Sequence, residues 1–211
     1  LVPELGPDTR LDPDDARSGG TVKPVVEFVE AAELGLVTRP VLLGPVTFLL
    51  VARSTAEAPA GFRPLDRLDD VLAGYAGLLG RLAAAGATWV QLDEPALVTD
   101  LSPVELAAVD RAYRWLGDLA DRPRLLVASP YGHLGDVLPV LAATPVDGLA
   151  LDLVRGGADL VPSTPGGRAL RGGALAGRTL VAGVVAGDTV WRTDRERALA
   201  GLPARPECDS R

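Results

Sequence analysis

Short apolar runs alternate with amphipathic stretches along most of this chain. Five runs read as strands, at residues 40–43, 88–93, 124–129, 148–153 and 178–185, and their starts lie 24 to 48 positions apart. Those intervals leave room for one crossover helix each, given about 30 residues per βαβ unit. Strands alternating with helices predict a parallel sheet of the α/β class. The helix signals are specific. Ser102-Pro103-Val104-Glu105 has the form of a capping box with proline at the first helical position. Behind it Leu106, Val109, Tyr113, Leu116 and Ala120 recur at spacings of 3 and 4, one apolar helix face. Asp66 is placed to cap a second helix carrying Leu68, Leu72, Tyr75, Leu79 and Leu82, with Gly86 as its stop. Gly74, Gly77 and Gly80 inside that helix each cost about 1 kcal/mol against alanine. They read either as drift in a glycine-rich chain or as close approach of helix to sheet. Thr193-Asp194-Arg195-Glu196 predicts a last short helix. Residues 1–22 read as loop, 155–177 as a short irregular crossover, and 203–211 as a disordered tail after one domain over 1–202.

Side-chain alternation turns these strands into candidate chemistry. In Trp89-Val90-Gln91-Leu92-Asp93-Glu94-Pro95, Val90 and Leu92 share one face and Trp89, Gln91 and Asp93 the other. The helix-covered face of such a strand is apolar, so Gln91 and Asp93 point away from the helices. On 148–153, Leu149, Leu151 and Leu153 share a face, leaving Ala150 and Asp152 opposite. Asp93, Glu94 and Asp152 thus stand at the carboxyl ends of their strands, and they are the candidate substrate-binding residues. The competing structural reading is that these carboxylates accept backbone N–H groups from the next loop or pair with Arg155 or Arg192. His133, the only histidine, follows Pro130-Tyr131-Gly132 after the third strand and reads either as a site residue or as a surface or capping residue.

Composition narrows the function classes. With 47% hydrophobic residues in 211, the chain has material for a sizeable core. A net charge of −7 gives no footprint for nucleic acid or an anionic membrane. The longest apolar run, 41–52, is too short to span a bilayer, and no signal peptide opens the chain. The single cysteine, Cys208, excludes an internal disulfide and fits a reducing cytoplasm. One histidine and one cysteine, 75 residues apart, offer no Cys/His cluster of the kind structural zinc sites use. Glycine pairs such as Gly166-Gly167 lack the spacing of a phosphate-binding loop. The chain contains no methionine and opens mid-pattern, so it reads as a piece of a longer protein.

The Asp-Glu-Pro strand, together with Arg39-Pro40-Val41-Leu42-Leu43-Gly44-Pro45-Val46-Thr47, the stretch from Pro145 to Gly156, and Val190-Trp191-Arg192-Thr193-Asp194, resembles the amino-terminal domain of cobalamin-independent methionine synthase. The resemblance covers roughly residues 2–200. It implies an incomplete TIM (βα)8 barrel of about five parallel strands with crossover helices, strands three to seven of the family's eight. It also implies the parent reaction, methyl transfer from 5-methyltetrahydropteroyltri-L-glutamate to L-homocysteine, without cobalamin. In the parent, zinc is held by a carboxyl-terminal catalytic barrel whose ligands are not in this chain, so the fragment alone is expected to be inactive. The family's folate contacts in this barrel lie upstream of residue 1 and transfer to no position here. Where the family reads Gly-Arg-Asn near 187–189, this chain has Gly187-Asp188-Thr189, an acid in place of a positive donor. Two rivals stand beside this reading: a non-catalytic scaffold barrel, and an unrelated uroporphyrinogen-decarboxylase-like barrel enzyme.

Overall fold

The structure, a computed structural model, describes residues 2–11, 22–171, 173, 175–187, 190, 192–194 and 196. Its strands in chain order are β1 (Glu4–Leu5), β2 (Val41–Leu43), β3 (Arg53–Ser54), β4 (Trp89–Asp93), β5 (Arg124–Ser129), β6 (Gly148–Asp152) and β7 (Thr179–Gly183). Its helices are α1 (Lys23–Glu33), α2 (Pro45–Val51), α3 (Leu68–Ala84), α4 (Pro103–Gly117), α5 (Val137–Ala142) and α6 (Pro165–Arg171). The five expected strands form one all-parallel sheet in the order β2-β4-β5-β6-β7. Among the described residues β2 and β7 each have one neighbour, so the sheet is open at both edges and no closed barrel forms.

Local rules account for the helices. At α4, Ser102 Oγ accepts the Glu105 N–H and the Glu105 carboxylate accepts the Ser102 N–H, the reciprocal capping box expected. α3 ends as anticipated. Gly86 adopts φ +94, its N–H reaches the Ala83 carbonyl, and the Ala87 N–H reaches the Leu82 carbonyl, both at 2.9 Å. That is a Schellman stop, and its left-handed residue is where a glycine costs least. The start of α3 differs from expectation. Asp66 sits inside a 3-10 turn (Pro64–Arg67) and accepts the Arg63 N–H at 2.9 Å instead of capping α3. Pro64, pre-set for a first helical position, begins the turn before α3. The glycines of α3 show no tight approach: a Cβ at Gly77 or Gly80 would meet nothing within 4 Å, and at Gly74 only the Leu11 carbonyl oxygen at 3.5 Å.

Residues 1–22 are not wholly loop. β1 pairs in parallel with β3, tied by Arg53 N–H to the Pro3 carbonyl and Thr55 N–H to the Leu5 carbonyl. Two residues carry no readable period, which is why the pattern missed them. The 155–177 crossover is short, as expected: a 3-10 turn (Gly157–Leu160) and then α6. Asp188, Thr189, Trp191, Arg195 of the last capping box, Cys208 and the 203–211 tail lie outside the described residues.

The core lies between the sheet and its helices. Val90, Leu92, Leu125, Val127 and Leu149 from the strands meet Leu72, Leu79, Val109, Tyr113, Leu138 and Leu141 from α3, α4 and α5. Helix-facing positions are thus filled by apolar side chains, as the alternation predicts.

Candidate functional site

The other face of the sheet positions the site. Register places Asp93, Ala128, Ala150 and Val181 in one row across four strands at the carboxyl edge. Barrel interiors are normally filled by bulky branched side chains. Two alanines in this row leave instead a concavity of about 520 Å³, with Asp93, Asp152, Tyr131 and Arg155 among its walls. Ligand pockets run from about 300 to 1,000 Å³, so the space suits a small molecule.

Asp93 and Asp152 come together on this concavity, but their oxygens are engaged differently. Asp152 accepts three backbone N–H groups: Tyr131 at 3.0 Å on Oδ2, and Val154 at 3.0 Å and Arg155 at 2.9 Å on Oδ1. It therefore fixes the loops after β5 and β6. One of those donors belongs to Tyr131, which has φ +80, a conformation bulky side chains rarely adopt. Such strain persists where surrounding bonds over-determine it, typically at functional sites. Asp93 accepts only the Gln91 side-chain amide, Nε2 to Oδ1 at 2.7 Å. Among the described residues its Oδ2 accepts no hydrogen bond, so Asp93 retains an acceptor on the concavity. Gln91 is held in turn by Arg39, whose Nη2 donates to Oε1 at 2.7 Å.

Glu94 is not brought to the concavity. It is 0% exposed and turns into the layer between sheet and helices. Its Oε1 accepts the Val46 N–H at 3.1 Å and the Tyr113 hydroxyl at 2.5 Å, and its Oε2 the Thr47 N–H at 2.6 Å. The carboxylate thereby caps the first turn of α2, whose N–H groups have no partner within the helix. Gly44 makes this possible, because a Cβ there would sit 2.1 Å from the Glu94 Cδ. Burial pushes the Glu94 carboxyl above its ordinary range, against the lowering effect of the bonds from Thr47, Tyr113 and Val46. Burial, then the Glu94 charge, raises the Tyr113 hydroxyl well above its usual value. The sequence carried a trace of this cap in Gly44-Pro45, a proline at a helix start. The donors, 19 to 48 residues away in the chain, carried none.

His133 lines a second concavity of about 450 Å³, beside Asp136, Asp159 and Thr99, and is absent from the first. Asp159, 2% exposed, accepts the Leu134 N–H at 2.8 Å and the Gly135 N–H at 3.2 Å. Sequence reading missed Asp159, because it lies in a glycine- and proline-rich stretch without period. Among the described residues no three His, Cys, Asp or Glu side chains converge to hold a metal, so they do not fit a zinc ion of the kind the family resemblance implies. Among them, too, no helix is long and apolar enough to cross a membrane.

Comparison with known proteins agrees with this geometry. The family model for the cobalamin-independent synthase N-terminal domain matches residues 1–205. A 5-methyltetrahydropteroyltriglutamate–homocysteine methyltransferase of Streptomyces avermitilis is 54% identical over 202 residues, covering 96% of this chain and 25% of the relative. Proteins of the same name from Rhodococcus jostii and Mycobacterium tuberculosis are 48% and 44% identical, each with 96% of this chain covered. The chain thus spans about a quarter of the length of the curated relatives it matches. Among solved structures, a Listeria monocytogenes chain whose name reads vitamin-B12 independent methionine synthase superposes with a TM-score of 0.61 at 17% identity. It covers 85% of this chain and 56% of that one, a likeness of fold. With the family model matching nearly the whole chain, the chain belongs to the cobalamin-independent methionine synthase family, within its amino-terminal domain.

Proposed function

We propose that this chain serves methyl transfer from 5-methyltetrahydropteroyltriglutamate to homocysteine as a substrate-holding part of the amino-terminal barrel. The zinc-bearing carboxyl-terminal barrel is its partner, and the setting is the cytoplasm. The reading rests on the family and on the names its relatives carry. The observation that carries it is the acceptor that Asp93 keeps on the concavity. What the chain contributes is binding in the alanine-floored cavity and orientation by the loops that Asp152 fixes. Within this reading Asp93 touches substrate, Asp152 shapes the loops around it, and Glu94 secures β4 from behind. Family membership removes the decarboxylase-like rival. The scaffold reading has one observation in its favour: Asp152 and Glu94 are both fully occupied within the chain.

Titration of the purified chain with homocysteine and with 5-methyltetrahydropteroyltriglutamate separates the two. A contact through Asp93 requires binding of at least one, weakened about tenfold or more by Asp93→Asn, the usual worth of a hydrogen bond to a charged group. Binding of neither, or equal binding by the variant, leaves the scaffold reading standing and removes this one.

A further inference from the structure

We propose that Gln91 and Arg39 are positioning residues for Asp93, and that the carboxylate so held receives an N–H-bearing group of the ligand; this rests on the ligand-contact reading above. A glutamine amide has a donor end and an acceptor end, and which is which follows from its partners. Arginine is only a donor and an ionised carboxylate only an acceptor. Arg39 Nη2 donates to Gln91 Oε1 at 2.7 Å, so Nε2 faces the opposite way and donates to Asp93 Oδ1 at 2.7 Å. Both ends of the amide are therefore fixed by chemistry.

Strand geometry sets the same order. Gln91 and Asp93 lie two apart on the face of β4 that borders the concavity, and Gln91 is level with Val41 on β2, two residues beyond Arg39. The relay ties down one oxygen of Asp93 and leaves the other open, while keeping the arginine charge one amide away from the carboxylate. Asp93 thus presents one fixed edge and one open one. Its neighbour on the concavity, Asp152, is also a carboxylate, and three backbone N–H groups already occupy it. Arg155 also lines the concavity, but the open oxygen of Asp93 accepts hydrogens only, so the group that meets it is a hydrogen donor. The matching ligand chemistry is an amine, or the amino N–H edge of a heterocycle. Homocysteine carries the first and the pterin of the folate carries the second.

The test uses the purified chain, titrated calorimetrically with each compound, alongside the ¹⁵N side-chain amide signal of Gln91. We expect Gln91→Met, which keeps size and removes both hydrogen bonds, to weaken binding by about three- to tenfold. Arg39→Gln, which frees the amide to turn, should weaken it by about twofold, the lower end of a single hydrogen bond. Adding Gln91→Met to Asp93→Asn should change nothing more, because the relay acts only through Asp93. The Gln91 amide signal should shift with the compound that binds, so a response to homocysteine assigns the amine and a response to the folate assigns the pterin edge. If Asp93→Asn weakens binding while Gln91→Met and Arg39→Gln leave affinity unchanged, the relay is wrong and the contact reading survives. If Gln91→Met weakens the Asp93→Asn chain equally, Gln91 acts through the fold and the inference also fails. Should Gln91→Met lose its cooperative melt, Arg39→Gln on the exposed partner decides by itself. Equal binding by Asp93→Asn removes both proposals.

Discussion

On the helix-facing side of the sheet, Val90, Leu92, Val127, Leu149 and Leu151 are all 3% exposed or less. On the opposite side the edge strands β2 and β7 present Val41 at 54% and Val181 at 39%, and β4 presents half-buried Gln91 and Asp93, while Leu126 and Ala128 of central β5 stay buried. One face follows the rule for a packed interior throughout, and the other follows it only at the centre of the sheet. The difference separates two kinds of selection on one backbone: volume on the first face, and donors, acceptors and space on the second. The adjacent carboxylates show the division most sharply. Asp93 ends the strand on the open face with an acceptor to spare; Glu94, one residue later, is buried on the closed face with three donors on its two oxygens.

The largest effect expected from this division is on folding. Leu92→Ala removes a fully buried side chain between β4 and its helices. It should cost about 2 to 5 kcal/mol, the range for leucine truncation in a core. Val181→Ala, on the other face, should stay within roughly 0.5 kcal/mol. Chemical denaturation of both variants measures the contrast, and equal losses would mean that the open face is packed after all.

Glu94 offers the second lever, through pH. Its carboxyl is raised in the folded chain, chiefly by burial. Folding therefore favours its protonated form, and the stability tied to that proton is present below the ordinary carboxylate range. It is lost as pH rises from that range through the raised value. The slope per pH unit is at most about 1.4 kcal/mol for one proton. Glu94→Gln removes the titration and pays instead by setting an amide N–H₂ against the donors at the start of α2. The variant should be the less stable chain at low pH, and the gap should narrow as pH rises. Thermal melts from acid to neutral pH read it directly. Parallel curves would show that Glu94 does not carry the raised pKa.

Much of the fold was legible because its signals are short-range. The capping box at Ser102, the stop at Gly86 and the alternation of 148–153 each lie within one turn or one strand of the element they specify. The facing of Asp93 and Asp152 followed from that alternation alone. What stayed hidden was set by distant partners. Asp93 and Glu94 look equivalent in sequence, and only Gly44, Val46, Thr47 and Tyr113, brought from α2 and α4, send Glu94 inward. The competing reading for Asp152, backbone N–H groups of the next loop, matched its bonds. Its Tyr131 donor, in a left-handed conformation at a non-glycine position, had no pattern to announce it. Arg39 and Asp159 were missed for the same reason, since each acts across a strand or loop boundary on a group 24 or more residues away.

The smallest effect on stability is expected at the edge where the two faces meet water. Among the described residues β2 has β4 as its one neighbour, and Val41 and Leu43 on it are both exposed. A flat apolar edge with unpaired backbone groups is a template for another strand, and a lysine on it is the usual guard. Val41→Lys places a charge on a side chain that is already 54% exposed, so the change in unfolding free energy should be within about 0.5 kcal/mol. Self-association should respond far more, because pairing a second strand at this edge would have to bury the ammonium. Light scattering against concentration compares the two chains. A variant that associates as the parent does, at unchanged stability, would place the contact elsewhere, with the matching edge at β7 and its exposed Val181 next to be charged.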